Sequence, residues 1–326
     1  MNLLVTDLHL DDNPDNDYRW NVWEHILQAV IQHRIERVFI LGDWVDRKDR
    51  FSAAFINRLM THVYGLAGRV FLIVLRGNHD SAMNPPSYFD FLASPIENFM
   101  YVTAPLALHG EPLLLLPFTK TPKEDWSHLN LENYKAAFMH ATVTGARVEN
   151  GMVMENSNFP VLPQQLKVYS GDVHVPQKVR NVTYVGAPHP IKYGDDYPCR
   201  MLVLDQAYDI TQEISLSPLR KIIVDITDPS ELARLQTRYG DRIKIRYACP
   251  PDAIGDWPRD EQLIAAWAKE HGITIAGTEV VVGVRATGRD LDLEQTPEQI
   301  LKDFAAREEL TPGLLQTGLD LLAGLK

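Results

Sequence analysis

Over the first two hundred residues, short apolar runs alternate with amphipathic stretches. Runs of three to six residues rich in β-branched or aromatic side chains predict buried strands at 2–5, 37–41, 70–75, 134–139, 167–169, 182–185 and 201–204. Apolar residues recur at helical spacing over 18–34 and over 52–66, which predicts helices with one buried face. This alternation predicts an α/β fold in which helices cover sheets and the chemistry gathers at the carboxyl ends of strands.

A second pattern begins near residue 206. It predicts strands at 221–226, 242–247 and 279–284, with helices at 229–239 and 261–270, and therefore a small α+β unit. From residue 296 the chain reads as helical, because Pro297 occupies a first helical position and acidic residues follow it. We therefore expect three parts, at 1–205, 206–290 and 291–326.

Composition narrows the class of protein. The 326 residues are 45% hydrophobic and 23% charged, as in a globular chain. Cys199 and Cys249 are isolated, which excludes a disulfide framework or a cysteine-based zinc site. No apolar run reaches the ~20 residues of a membrane span and no targeting segment is evident, so we expect a cytoplasmic protein without membrane contact. The net charge of −11 argues against a broad grip on nucleic acid by this chain alone, although metal ions or a partner can supply positive charge.

Candidate chemistry is concentrated in five polar segments, each of which follows a predicted strand. They are Asp7-Leu8-His9, Gly42-Asp43-Trp44-Val45-Asp46, Gly77-Asn78-His79-Asp80, Met139-His140 and Gly171-Asp172-Val173-His174. Taken singly, each segment has an ordinary structural explanation as a turn, a helix cap or a polar loop. Together, at the strand exits of one domain, they predict a single site.

The residue types indicate a metal site. Mixed carboxylate and imidazole ligands suit manganese, iron or zinc. A central carboxylate, here Asp43, can bridge two ions that lie ~3.5–4 Å apart, and such a pair activates water and neutralises the charge of a phosphoryl group. The sequence therefore predicts metal-assisted hydrolysis of a phosphate ester.

The ordered motifs resemble the calcineurin-like metallophosphoesterases over residues 1–205. Within that superfamily, Gly171-Asp172-Val173-His174-Val175-Pro176-Gln177 followed by Tyr184-Val185-Gly186-Ala187-Pro188 resembles the SbcD branch of double-strand-break repair nucleases. The resemblance implies a four-layer α/β/β/α sandwich, a capping domain at 206–290 and a partner-binding helical tail at 291–326. The modest length is closer to that of phage-type members.

The resemblance also implies a ligand set for two divalent ions, most readily Mn²⁺. The first ion would take Asp7, His9 and His174, and the second would take Asn78, His140 and Asp172, with Asp43 bridging the two. Most family members have histidine where this chain has Asp172. Two roles remain open for that residue: direct ligation of the ion, or orientation of His140 or a water molecule.

By the same resemblance, His79 and Asp80 form the catalytic pair. His79 would protonate the leaving oxygen, and Asp80 would hold the ring of His79 in position. A helix-capping role for Asp80 is the structural alternative.

The candidate substrate-binding residues are Asp46, Arg47, Arg50 and His189. A helix cap is the alternative for Asp46. For the basic cluster, which includes Lys48, an ordinary solvated loop is the alternative.

The implied activity is that of a manganese-dependent DNA exonuclease on duplex ends and a single-strand endonuclease, in an SbcCD-like repair and recombination complex. An SbcC-like coiled-coil ATPase would be the partner, and the tail around 301–325 would either dock that partner or pack on its own domain. The helix at 52–66 is a candidate surface for a homodimer. Two other functions remain open: a phosphodiesterase or phosphatase acting on nucleotides or other phosphoesters, and a weakly catalytic scaffold in which Asp172 has impaired the second metal site.

Overall fold

A computed structural model describes residues 1–82, 87–94, 96–155, 157, 159–249 and 254–282, with scattered positions between 301 and 319. Its strands are β1 (Asn2–Val5), β2 (Arg37–Ile40), β3 (Phe71–Leu75), β4 (Phe99–Val102), β5 (Leu106–Ala107), β6 (Leu113–Leu116), β7 (Ala136–His140), β8 (Lys167–Gly171), β9 (Gln177–Val179), β10 (Val182–Tyr184), β11 (Cys199–Leu204), β12 (Ile210–Leu216), β13 (Lys221–Ile226), β14 (Arg242–Cys249) and β15 (Thr274–Val282). Its helices are α1 (Val22–His33), α2 (Ala53–Ala67), α3 (Pro122–Asp125) and α4 (Trp257–His271). Shorter 3₁₀ turns include Pro14–Asn21 and Pro229–Arg234.

Two six-stranded sheets form the larger part of the fold. The first has the order β12-β11-β1-β2-β3-β4, and the second has the order β5-β6-β7-β8-β10-β9. Strands β1 to β4 run parallel, as do β6, β7, β8 and β10. Parallel neighbours end at the same edge of a sheet, so the loops that follow β1, β2 and β3 lie side by side, as do those that follow β7 and β8.

The alternation of side chains along each strand explains how the two sheets pack. Leu3 and Val5 of β1 point away from the second sheet into the core beneath the helices, whereas Leu4 points into the core between the sheets. Across that inner core the rings of Phe39 and Phe138 meet edge to face at 4.8 Å. Strands buried on both faces read as continuous apolar runs, which is why these strands were predictable.

Helices α1 and α2 cover the outer face of the first sheet. The outer face of the second sheet is covered by loops and short turns around Trp126 and Leu131, so this fourth layer is thinner than the first. The predicted α/β fold class is confirmed by this layered arrangement.

The third sheet, of order β13-β14-β15, is parallel throughout and packs one face against α4. The helix predicted at 229–239 is only the 3₁₀ turn Pro229–Arg234, because the backbone of Leu235 is extended, with ψ of 130°. Strand β12 belongs to the first sheet, so this sheet continues past residue 205, the boundary that the sequence predicts between the first two parts.

The predicted tail at 291–326 lies largely outside the described residues, and so do its Leu314, Leu322 and Leu325. Among the helices that the structure describes, none combines the length and the apolar character needed to cross a bilayer.

Candidate metal centre

The site lies where five strands end. Strand β1 leads to Asp7 and His9, β2 leads to Asp43 and Asp46, and β3 leads to Asn78, His79 and Asp80. In the second sheet, His140 is the last residue of β7, while Asp172 and His174 follow β8. The structure thus brings together, at one edge of the sandwich, all of the residues predicted to bind metal.

The backbone at these strand ends is bent sharply. Four of the site residues that are not glycine have positive φ: Asp7 at 54°, His9 at 43°, Asp43 at 50° and Asp172 at 76°. This left-handed conformation is costly for residues with a side chain and persists where the surroundings hold it. The amide of Asp7 donates to the carbonyl of Gly42 at 3.1 Å, and that of His9 donates to the carbonyl of Asp43 at 2.9 Å. These two bonds fix the loop after β1 (the first loop) against the loop after β2 (the second loop); the loop after β3 is the third loop.

Asp7, His9 and His174 form the first ligand group, in which ligand atoms lie within 4.8 Å of one another. The Nε2 atoms of His9 and His174 are 3.2 Å apart and face each other. On its other edge, Nδ1 of His9 lies 3.0 Å from Oδ1 of Asp46. A partner on one ring nitrogen fixes the imidazole orientation and leaves the second nitrogen directed at the ion.

Asp7, Asp43 and His140 form the second ligand group. Nδ1 of His140 donates to the carbonyl of Leu41 at 2.6 Å, so its Nε2 carries the lone pair. That Nε2 lies 3.3 Å from Oδ1 of Asp43, while Oδ2 of Asp43 lies 3.6 Å from Nε2 of His9. The two oxygens of Asp43 therefore face different ligand groups, as a bridging carboxylate requires.

Four buried side-chain atoms of the predicted ligands, all in the described part of the chain, have no hydrogen-bond partner: Oδ2 of Asp7, Oδ1 of Asn78, Nε2 of His140 and Nδ1 of His174. Nδ1 of His174 faces Oε1 of Glu149, whereas the other three atoms belong to residues grouped around Asp43 and Asp172. A buried polar atom without a partner is unfavourable, and a cation is the partner that oxygen and imidazole lone pairs can share. The side chains present therefore fit divalent metal ions held between the two ligand groups.

The electrostatics of the buried carboxylates are consistent with this fit. Burial raises the pKa of Asp7 to about 6. Burial also opposes ionisation of Asp43, but the positive charge of the nearby His140 holds the pKa of Asp43 well below its usual range. In return Asp43 raises the pKa of His140 well above the usual value, against the effect of burial. The carboxylates that favour a proton on His140 equally favour a metal cation in its place.

Asp172 occupies a specific place beside the second ligand group. Its Oδ1 accepts from Nδ2 of Asn78 at 3.3 Å and lies 3.7 Å from Nε2 of His140, while its Oδ2 accepts from the hydroxyl of Thr142. The bond from Asn78 decides which way that amide faces and turns its Oδ1 toward the site. Asp172 thus orients Asn78, a role that the sequence did not predict. Direct ligation of an ion by Asp172 and orientation of His140 or a water molecule both stay predictions.

His79 lies at the open side of the cluster, with 36% of its side chain exposed. Its Nδ1 donates to the backbone carbonyl of Asp46 at 2.7 Å, and its ring meets that of His9 edge to face at 4.6 Å. This leaves Nε2 free to act on a substrate. His79 also belongs, with His9 and Asp46, to a third group of potential ligands.

The role predicted for Asp80 is wrong in its detail. Its carboxylate accepts from the backbone amides of Asp43 at 2.9 Å, Gly77 at 2.7 Å and Val45 at 3.3 Å, and the ring of His79 is held by Asp46 instead. Asp80 therefore fixes the second and third loops to each other. Burial and the nearby charge of Asp43 raise the pKa of Asp80 to about 8, and positive charge at the ligand groups would oppose that shift.

The four candidate substrate-binding residues have different positions and roles in the structure. Asp46 holds His9, and the cap of α2 is Ser52, so the helix-cap alternative for Asp46 is wrong. Arg47 and Arg50 are exposed beyond Asp46, and Arg47 lies 3.4 Å from Asp12. Their contact with substrate stays a prediction.

His189 is not available to a substrate. It is buried, and its Nε2 donates to the carbonyl of Leu8 at 2.9 Å, beneath the ligands. Burial and the charge of Arg19 hold its pKa well below the usual value, so the ring is neutral. The predicted contact of His189 with substrate is therefore wrong.

Two contacts of the ligands were missed. Oε1 of Glu149 accepts from the backbone amide of His174 and lies 3.1 Å from its Nδ1, and the buried Arg19 donates to the carbonyl of His9. Glu149 lies in an irregular segment with no periodic signal. Arg19 lies in the 3₁₀ turn before α1, where a charged residue reads as exposed.

Gly42 gives a direct test of the packing at the second loop. Its φ is +95°, and a β-carbon there would lie 2.3 Å from Nδ1 of His140. Gly42→Ala is therefore expected to lower the free energy of unfolding by ~1–3 kcal/mol from backbone strain alone, and to weaken metal binding. In helix α2, a β-carbon at Gly65 meets nothing within 4 Å, so the control Gly65→Ala should gain ~0.5–1 kcal/mol. Urea denaturation of both variants checks this, and a stable Gly42→Ala chain with normal metal content would contradict it.

Comparison with known proteins agrees with this geometry. The family model of the calcineurin-like phosphoesterases matches residues 3–176, which include every predicted metal ligand. The chain belongs to this family. Calcineurin-like phosphoesterases bind divalent metal ions and hydrolyse phosphate esters, so the chain is a metal-binding hydrolase of that class.

Solved structures similar to this calcineurin-like phosphoesterase include Yfce, a phosphoesterase from E. coli, and the nuclease MPE from Pseudomonas putida. Each has 16% sequence identity, a TM-score of 0.34 and coverage of 66% of this chain, with 99% of Yfce and 87% of MPE covered. Comparison with curated proteins gives no match.

Proposed function

We propose that this phosphoesterase is a DNA nuclease of the SbcD type, which hydrolyses phosphodiesters with two divalent ions in the cytoplasm. The observation that carries the two-ion part is the position of Asp43, whose two oxygens face separate ligand groups beside the exposed ring of His79. Asp7, His9, Asp43, His140 and His174 would hold two divalent ions, which would stabilise the charge of an in-line displacement at phosphorus.

The DNA part of the proposal rests on the sequence features that resemble the SbcD branch, and these features are in contact. Gly186, at φ +84°, leaves room for the ring of Pro176, which a β-carbon would approach to 2.5 Å. Gln177 accepts from the amide of Arg147 at 2.9 Å and donates to its carbonyl at 2.6 Å. This pair of bonds supports the segment that carries Glu149, and Glu149 in turn contacts His174. The motif thus supports one of the ligands.

The protein side chains divide the remaining work. Bound divalent ions would supply charge neutralisation and activation of water for attack on phosphorus. As a P–O bond forms to the oxygen of the attacking water, the proton of that water passes to solvent and the P–O bond to the leaving alcohol breaks. His79, in its imidazolium form, gives the leaving oxygen the proton on Nε2 and remains as the neutral ring protonated at Nδ1. The carbonyl of Asp46 holds Nδ1 of the same ring, which keeps its orientation through the step.

The ion and the partners belong to the same proposal. Imidazole ligands favour Mn²⁺ over Mg²⁺, which prefers oxygen ligands and keeps its waters. We further propose an SbcC-like coiled-coil ATPase that docks on the tail at 291–326, and a homodimer formed through α2. Because the net charge is −11, DNA should bind weakly to the isolated chain, and the ATPase would supply positive surface.

A comparison of substrates tests the function. The purified chain is incubated with end-labelled linear duplex DNA and, in parallel, with a generic aryl phosphodiester, in Mn²⁺, in Mg²⁺ and in chelator. We expect cleavage of DNA in Mn²⁺, about tenfold or more slower cleavage in Mg²⁺, and none in chelator. The Asp43→Asn variant, prepared in the same way, serves as the control for contaminating nucleases.

Turnover of the aryl phosphodiester with intact DNA would contradict the nuclease proposal and favour a phosphodiesterase of small substrates. Equal rates in Mn²⁺ and Mg²⁺ would contradict the assigned preference for manganese.

A further inference from the structure

A chain of buried polar residues leads away from the ligand His9. Arg19 is only 3% exposed. Its guanidinium donates through one nitrogen to the carbonyl of His9 and through another to the carbonyl of Ile191, at 3.0 Å. The backbone of His9 is in the strained left-handed region. Arg19 therefore links the backbone of His9 to the loop that precedes β11.

The chain of contacts continues to the three-stranded sheet. Lys221 is the first residue of β13 and is 5% exposed. Its Nζ donates to Oδ1 of Asn16 at 2.8 Å and to the carbonyl of Ile191 at 3.3 Å, and lies 5.2 Å from the ring centroid of Tyr18. The carbonyl of Ile191 thus accepts from both Arg19 and Lys221.

Asn16 and Asp11 complete the connection. Nδ2 of Asn16 donates to Oδ2 of Asp11 at 2.6 Å, and that oxygen lies 3.7 Å from the guanidinium of Arg19. Arg19, Lys221 and Asp11 are therefore three buried charged side chains, and none of them belongs to the ligand groups. Apolar residues in place of a buried ion pair often preserve or raise stability, so stability alone does not account for these charges.

We infer that Lys221 and Arg19 are positioning residues, through which the three-stranded sheet holds the backbone of His9 and sets the metal affinity of the first ligand group. Hydrogen-bonding partners behind a metal ligand commonly contribute 10–100-fold to metal affinity. In the second ligand group, His140 is held by the carbonyl of Leu41, and the backbone of Asp43 is held by Asp80. Neither of these two contacts involves Arg19 or Lys221, so we expect the second ion to be affected less than the first.

Metal binding without substrate tests the inference, so the result is independent of whether DNA is cleaved. Free Mn²⁺ is measured by electron paramagnetic resonance during titration of the full chain, and thermal unfolding is recorded on the same samples. Lys221→Met keeps the length of the side chain and removes its charge. We expect it to lower the affinity for one of the two Mn²⁺ ions by about tenfold. The matched control is Lys244→Met, because Lys244 is exposed on the same sheet and lies over Tyr193 at 4.6 Å. Its affinities should stay within about twofold of wild type, well short of that effect.

A second variant separates coupling from general damage. Asn16→Ala removes the acceptor of Lys221 and, with it, the donor to Asp11, so it interrupts the same chain of contacts without changing a charged residue. It carries the same expectation as Lys221→Met, including in the case that Lys221→Met does not fold. The double variant Lys221→Met with Arg19→Lys should lose less affinity than the sum of the single losses, because both residues act through the same carbonyl. A folded Lys221→Met or Asn16→Ala chain that binds both ions within twofold of wild type would overturn the inference. An equal loss of affinity for both Mn²⁺ ions would overturn the inference as well.

Discussion

Replacement of Asp43 by alanine is expected to abolish DNA cleavage and to leave the folded chain with fewer than two bound ions. Both oxygens of Asp43 face ligand atoms, and Oδ1 also accepts from the amide of His79 at 2.8 Å. We therefore expect a loss greater than the ~10⁴-fold that marks the upper range for one positioned acid–base group. Elemental analysis of the purified variant, beside a nuclease assay, measures both quantities.

Asp43→Asn is the matched control for this change. Asparagine retains an oxygen for the amide of His79 but loses the negative charge that two cations would share. If the bridging charge is what matters, the asparagine and alanine variants should lose activity and metal alike. Two retained ions in Asp43→Ala would show that Asp43 does not bridge.

His79→Ala is expected to lower the rate of cleavage by about 10²–10⁴-fold while metal content, folding and DNA affinity remain as in wild type. The exposed ring is tied to the protein by one bond from Nδ1 to the carbonyl of Asp46, so its removal should leave both ligand groups in place. Single-turnover cleavage rates, with metal content measured on the same preparation, give the comparison.

His79→Asn separates proton transfer from positioning, because the asparagine amide can still donate to the carbonyl of Asp46 but cannot give up a proton at neutral pH. An equal loss of rate in both variants is expected. Loss of a metal ion from His79→Ala would instead place His79 among the ligands, in the third group with His9 and Asp46.

The buried strands of the two large sheets were predictable because a short apolar run that is bounded by polar and turn residues is typical of a strand buried on both faces. Leu3, Leu4 and Val5 form such a run, and all three are fully buried in β1. Strand β12 was not predicted, because Ile210–Leu216 is an exposed edge strand whose side chains carry no apolar run. The helix expected at 229–239 ends early for a similar reason: Leu232 is buried against the sheet, and Leu235 leaves the helical conformation to pack there.

For the site, the sequence predicted which residues assemble but not how they bond. The ligands follow from the order of the strands, since parallel strands place their carboxyl ends at one edge. The partners of Asp80 could not be read in this way, because the amides of Asp43 and Val45 come from another loop. The burial of His189 under the ligands depends likewise on a loop crossing far along the chain, to Leu8.

The proposed activity depends most on two ions being held by Asp7, Asp43 and the imidazoles around them. The direct measurement is the number of Mn²⁺ ions bound per folded chain, by elemental analysis after equilibrium dialysis. This geometry predicts two ions in the wild-type chain and fewer than two in Asp43→Ala. One ion or none in a folded wild-type chain would contradict it and would favour a scaffold with little catalytic activity.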